Sequence, residues 1–432
     1  MSPRLYVDNA ASQPLRPEAQ EAMAHAADLL NPAGQYASGR EARRVLEDAR
    51  EHVAALLGAD SAEVIFTGSG TEADNIAVQG LAYGSKVSRG ATVIASSDIE
   101  HPAVMETVDW LTSGVVGFGF QRCPLPVDAT GRVLAQQWIG AFGDDMSRGG
   151  GAVHGTAQPA DVSRTSSVTP PVDGLDPRDT VVDPGDIALL TCMWANNETG
   201  VIQPVHELAS FARERSIPFH TDAVQAVGHI PVNFHELGAS TLAASAHKFG
   251  GPKSTGILLA RRDAHILSPV RGGGQERSVR SGTVNVQGAA GCAAALASAI
   301  DEMEEAAVTL RAAREQLRRV VHTIDDACIW TPEDTVSEQT LPGHLHMSFP
   351  GAEGDCLIML LDSAGVDAST GSACSAGVNR ASHVLTAMGV PAEVARGALR
   401  LTIGADITDE QVEYLSTILP RVVEQARAAG MA

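Results

Sequence analysis

Apolar positions in this chain follow two alternating patterns. Over "EARRVLEDAREHVAALLGA", Ala42, Val45, Leu46, Ala49, Val53, Leu56 and Leu57 recur at three- and four-residue spacing and then give way to Gly58. That periodicity predicts an amphipathic helix closed by a glycine cap. Elsewhere the apolar residues form short unbroken runs bounded by turn residues: "EVIFT" (63–67), "ATVIAS" (91–96), "IALLTCMW" (187–194), "IPFHT" (217–221), "TLAAS" (241–245) and "GILLA" (256–260). Helical patterns such as "PVHELASFARER" lie among them. Strands that are apolar on both faces and separated by helices predict the α/β class, with a mainly parallel sheet covered on both sides.

The rhythm fails over 140–186, where eight glycines and five prolines accompany scarcely any large apolar residue. Such a stretch buries too little surface to order itself and is expected to be a flexible insertion. From about residue 305 the patterns change again, through "LRAAREQLRRVVHTI", "GDCLIMLLDSAG" and "DEQVEYLSTILPRVVEQARAA". The expected organisation is a large domain over 15–304, carrying the insertion, and a smaller α+β domain made of 1–14 and 305–432 that closes over it. A chain of 432 residues with 44% hydrophobic content can fill more than one core.

The net charge of −21 argues against nucleic acid or an anionic membrane as a main partner, since both attract basic patches. The start, "MSPRLYVDNAAS", has no basic segment leading into an apolar one, and no long apolar run follows, so a soluble cytoplasmic protein is expected. Six scattered cysteines form no C-x-x-C pair and signal neither a disulfide framework nor a zinc site. Of the 31 basic residues only Lys86, Lys248 and Lys253 are lysines, so chemistry that needs a primary amine has few candidates.

In open α/β sheets ligands bind beyond the carboxyl ends of the strands, so the residues just after each run matter most. "EVIFT" is followed by "GSGTEADN", a glycine turn entering a helix whose free N–H groups suit a phosphate. Alone this marks only a βα turn capped by Thr71. "ATVIAS" leads to His101, "IALLTCMW" to Asn196 and Asn197, "IPFHT" to Asp222 and Gln225, and "TLAAS" to Ser245, His247 and Lys248. An aspartate at a strand end can keep a ring nitrogen protonated, and a lysine in a glycine-bounded turn can form a Schiff base with an aldehyde. With a phosphate cradle, these are the groups that pyridoxal phosphate requires. Lys86, in "YGSKVSRG", reads as a solvated charge, whereas Lys253 is interchangeable with Lys248 on spacing alone.

These motifs, with "EHPAV", "WANNETGVIQP", "TDAVQAVG", "SAHKFGGPK", "GGGQERSVRSGT" and "STGSACSAG", resemble the cysteine desulfurases, pyridoxal-phosphate enzymes of the aminotransferase class V family. The resemblance runs from "YVDNAASQP" to "GALRLTIG" and is broken chiefly by 140–186. It implies a fold type I transferase, with a mainly parallel seven-stranded sheet in its large domain.

The same resemblance implies that Lys248 forms the imine with the cofactor, Asp222 pairs with the pyridine nitrogen, Gln225 contacts the ring hydroxyl and His101 stacks on the ring and moves protons. Gly70, Thr71, Ser245 and His247 would hold the phosphate. Thr283, from "RSGT", would reach the phosphate of a neighbouring subunit in a homodimer with shared sites. Asn197, also expected beside the cofactor, and Arg400 would hold the carboxylate of L-cysteine, a task suited to the planar fork of arginine. Cys374, set among small residues between Gly371 and Gly377, would take the sulfur as a persulfide. It would pass that sulfur to an acceptor protein serving iron–sulfur cluster assembly or tRNA thiolation.

Small departures from the family pattern, "NAASQP" at 9–14 and Ala246 before "HK", leave the reacting groups in place, and Ala405 stands where many relatives carry an arginine. Two alternatives compete: a related lyase acting on another amino acid such as selenocysteine, and a cofactor-binding scaffold without catalysis. The second is disfavoured because Lys248, Asp222, His101 and Cys374 are all present.

Overall fold

The computed structural model describes residues 4–115, 117–142, 182–333, 339–371 and 381–430. Its strands in chain order are β1 (Leu5–Tyr6), β2 (Val64–Thr67), β3 (Val93–Ser97), β4 (Gln121–Leu125), β5 (Ile187–Thr191), β6 (Phe219–Asp222), β7 (Thr241–Ser245), β8 (Gly256–Ala260), β9 (Cys328–Ile329), β10 (His344–Ser348), β11 (Val366–Asp367) and β12 (Ala398–Thr402). Seven of them form one sheet in the order β2-β8-β7-β6-β5-β3-β4. β8 runs antiparallel to both of its neighbours, and every other pairing is parallel.

The unbroken apolar runs become strands buried on both faces. In β3, Ile94 joins one apolar cluster while Val93 and Ala95 join another; in β8, Leu258 and Ala260 are likewise separated from Ile257 and Leu259. Alternate side chains leave opposite faces of a strand, so each run has to be apolar throughout. The helices Gly70–Arg89 and Pro102–Thr112 supply Val78, Leu81, Val104 and Val108 to one cluster. The helices Ala37–Leu57 and Val286–Asp301 supply Leu46, Val53, Val286 and Leu296 to the other. Ala37–Leu57 ends as expected, with Gly58 in the left-handed conformation at φ 61°.

A separate core gathers Leu5, Val7, Leu310, Leu317, Leu345, Met347, Leu399, Leu401, Leu415 and Leu419. It is built on the antiparallel sheet β12-β10-β9 and the helices Met303–Val321, Gly354–Ser363 and Asp409–Gly430. The first residues belong here: β1 pairs in parallel with β11, and Asp8 bridges to Thr402.

Of the segment 140–186, residues 143–181 lie outside the described residues. Gly140 ends the short helix Ala135–Gly140, and Pro184–Asp186 forms a single 3-10 turn that feeds β5. Two local expectations need correction. Ser69, not Thr71, caps the helix that begins at Gly70, its side chain accepting the Glu72 N–H at 3.0 Å. Lys86 is not a solvated charge, because its amine donates to the carbonyls of Phe118 and Gly119 and lies over the Phe120 ring. Among the described residues no helix is long and apolar enough to cross a membrane.

Candidate active site

The strands β2, β3, β5, β6 and β7 point the same way, so their carboxyl ends share one edge of the sheet. A cavity of about 400 Å³ lies there, bordered by Asp8, Gly70, Thr71, Asp74, His101, Asn197, Asp222, Gln225, Ser245, His247, Lys248 and Arg400. Nearly every strand-end residue marked in the sequence therefore meets its fellows around one space. Thr283 does not: it is exposed and lines a different cavity with Arg50 and Glu276. Cys374 lies outside the described residues. Asn196 separates from its neighbour Asn197, because its side chain is spent within the turn, accepting the N–H groups of Glu198 and Thr199 and donating to the Ile99 carbonyl.

Lys248 closes the 3-10 turn that follows β7, and its Nζ donates to the carbonyls of Ala10 at 2.6 Å and Ala11 at 3.1 Å. Lys253 is exposed, so geometry separates two lysines that spacing could not. Burial, reinforced by the charge of Arg400, lowers the Lys248 ammonium to about 8, against the upward pull of Asp222 and Asp8. A lysine displaced this far offers an appreciable share of neutral, nucleophilic amine near neutral pH.

Asp222 is the last residue of β6, and the Val224 N–H donates to its Oδ1 at 2.9 Å. Burial raises its pKa, while the nearby His101, the Val224 N–H and Lys248 oppose that rise. The Gln225 Nε2 donates to the same Ala10 carbonyl at 2.9 Å, which leaves its buried Oε1 without a partner. His101 caps the helix Pro102–Thr112, its Nδ1 accepting the Ala103 N–H at 3.1 Å. A ring that accepts at Nδ1 carries its proton on Nε2 when neutral. Burial lowers the His101 pKa against the pull of Asp222, and burial together with Lys248 and Lys253 lowers His247 to about 4.

Another part of the cavity wall has the geometry that suits an anion. Gly70 opens a 20-residue helix and sits against the ends of β6 and β7: a Cβ there would lie 2.9 Å from Val224 Cγ2 and 3.1 Å from Ser245 Cβ. Only glycine permits that approach, and it brings the first helical N–H groups, the positive end of the dipole, beside the Ser245 hydroxyl. Arg400, from β12, completes the wall. Its Nη1 donates to the carbonyls of Asn197 at 2.9 Å and Gly371 at 3.3 Å, its Nη2 pairs with Asp8, and its buried Nε has no partner.

Asp8 and Asp74 border the cavity without having been singled out from the sequence, although both stand in the quoted motifs "YVDNAASQP" and "GSGTEADN". The signal was present, but no spacing rule gave either a role.

These residues fit pyridoxal phosphate. A helix start and a hydroxyl suit the phosphate, an aspartate faces the same space as the lysine, and the orphaned Gln225 Oε1 awaits a polar group. Comparisons with known proteins agree. The family model for class-V aminotransferases matches residues 5–115 and 175–415. An IscS-like cysteine desulfurase of Mycobacterium tuberculosis is 40% identical over 99% of this chain and 98% of its own length. A solved NifS-like protein superposes with a TM-score of 0.78 at 31% identity, covering 98% of this chain and all of the other. The structure described as SspA in complex with cysteine covers 92% of this chain and 98% of its own, with a TM-score of 0.69 at 25% identity. The lyase and scaffold alternatives are not favoured by these relatives.

Proposed function

Since this chain belongs to the class-V aminotransferase family, among its pyridoxal-phosphate-dependent cysteine desulfurases, we propose that the strand-end cavity is where L-cysteine yields L-alanine and its sulfur passes to Cys374. The observation that carries the assignment of roles is the meeting of Lys248, Asp222 and Arg400, from the turn after β7, from β6 and from β12, around one space. When bound, the cofactor supplies an electrophilic carbon and an electron sink.

In this reading the protein's own residues contribute as follows. Arg400 and Asn197 orient the substrate carboxylate, Lys248 Nζ moves the proton at the substrate Cα, and Asp222 keeps a positive charge on the ring nitrogen opposite it. Gly70, Thr71, Ser245 and His247 bind the phosphate, and the neutral His101 shuttles a proton at Nε2. Cys374 attacks the substrate Sγ. That forms an S–S bond to the enzyme, breaks the substrate C–S bond and leaves alanine as the co-product.

The wider setting is part of the same proposal. Thr283 is exposed and lies outside the lining of its own chain's strand-end cavity, as expected of a residue that serves a partner subunit in a homodimer. The separate core containing Leu5, Val7 and many residues beyond 305 supports the division into 15–304 and 1–14 with 305–432, while Leu341, Val384 and Leu385 pack across it into the larger core. A cytoplasmic location, and a sulfur-acceptor protein of iron–sulfur cluster assembly or tRNA thiolation, complete the reading.

The test is to add L-cysteine and a reductant to the purified protein while following its visible absorbance, sulfide and alanine. Equal amounts of sulfide and alanine, with a change in the cofactor band, are expected. A band without sulfide would overturn the reading.

A further inference from the structure

Asp74 lies one helical turn beyond Gly70, on the face of Gly70–Arg89 that meets the sheet, and is 1% exposed. Its Oδ1 is 3.2 Å from Nε2 of His220, which is wholly buried two residues before Asp222 and therefore on the same face of β6. The other ring nitrogen, Nδ1, is 2.9 Å from Oγ1 of Thr241, the residue aligned with His220 on β7. This chain of contacts crosses from the cradle helix to two central strands.

No cation answers Asp74 in these contacts. The charges that act on it are those of Asp222 and Glu100, both acidic and both buried. The cations of the cavity are engaged elsewhere, Lys248 with the Ala10 and Ala11 carbonyls and Arg400 with Asp8, Asn197 and Gly371. His220 cannot serve as the counter-ion, because burial drives its pKa down to about 3. An unpaired carboxylate costs more to bury than to protonate, and two neighbouring buried acids do not both ionise readily.

On this basis, and resting on the cofactor site described above, we propose that Asp74 is held as the neutral carboxylic acid, donates its proton to His220 Nε2, and so fastens the phosphate cradle to the strand that carries Asp222. His220 then donates from Nδ1 to Thr241 Oγ1, so the Asp74 proton and both ring nitrogens have partners. Because Asp74 is neutral, it does not compete with Asp222 for the proton of the ring nitrogen. Asp74 is a positioning residue that acts through His220.

The test compares Asp74→Asn and Asp74→Ala with wild type. Asparagine is neutral, nearly isosteric and can donate to His220. In the apoprotein, infrared difference spectra of wild type against Asp74→Asn are expected to show the carbonyl stretch of a protonated carboxylic acid, lost in the variant. In the reconstituted protein, Asp74→Asn is expected to keep the Kd for pyridoxal phosphate within about twofold and the pH midpoint of the visible band unchanged. Asp74→Ala, lacking the bond, is expected to weaken the Kd about tenfold. A carboxylate stretch in the infrared spectrum, or a midpoint moved by about one unit in Asp74→Asn, would show a charged Asp74 and overturn the proposal. Equal affinity in all three proteins would overturn the fastening role. The infrared result stands even if L-cysteine proves not to be the substrate, so failure of the functional reading is distinguishable from failure of this one.

Discussion

Arg400 Nη2 lies 2.5 Å from Asp8 Oδ1, so the fork proposed to hold the substrate carboxylate is already occupied by a carboxylate of the chain itself. The pair sits at 5% and 21% side-chain exposure, sheltered enough for the charges to feel one another strongly. An incoming carboxylate meets a guanidinium fixed in orientation by Asp8 and by the Asn197 and Gly371 carbonyls.

Replacing Arg400 by Ala is therefore expected to lower kcat/KM for L-cysteine by roughly a hundredfold, since losing one member of a buried charge pair costs about 2–5 kcal/mol. Steady-state kinetics on the variant checks this, and unchanged kinetics would remove Arg400 from the substrate site.

Cys374→Ala is expected to abolish sulfide release while leaving the cofactor's visible absorbance intact, because in the proposed route the thiol accepts sulfur and takes no part in holding the cofactor. The two readouts can be taken on one sample. Full sulfide release by the variant would sink the persulfide route.

The depressed Lys248 ammonium gives a pH dependence whose sign follows directly. The neutral amine is the form that attacks the cofactor aldehyde, so the initial rate of pyridoxal phosphate uptake by the apoprotein rises about tenfold per unit below the pKa. It levels off above about 8. Stopped-flow absorbance at a series of pH values measures the midpoint, and one near the ordinary lysine value would show that burial does not tune this group.

Thr283→Val is expected to weaken cofactor retention about tenfold if the hydroxyl donates to a phosphate across the dimer, the usual worth of one hydrogen bond to a charged group. Equilibrium dialysis gives the affinity, and sedimentation on the same sample gives the assembly state. A fully active monomer would contradict the shared site.

Much of this was legible because the sheet is buried on both faces. β3, β6 and β7 are buried along their whole lengths, which made their ends visible and placed His101, Asp222, Ser245 and Lys248 at one edge. β4 escaped detection for the opposite reason. It is the outer strand, its exposed Gln121 and half-buried Arg122 and Pro124 interrupt any apolar run, and proline is tolerated at such an edge. The cap at Ser69 could not be told from one at Thr71, because both hydroxyls stand in the same short turn and only the backbone decides where the helix begins. Asp8 with Arg400, and Asp74 with His220, are partners 392 and 146 residues apart, beyond the reach of any spacing rule.

The parallel pairing of β1 with β11 and the bridge from Asp8 to Thr402 also bear on synthesis. Residues 5–8 are synthesised well before their partners at 366, 367 and 402. At about 5–20 residues per second the wait is roughly 20–70 s. Until then Arg400 does not exist and Asp8 lacks its partner, so the wall of the cavity that joins them cannot form before residue 400 has been made.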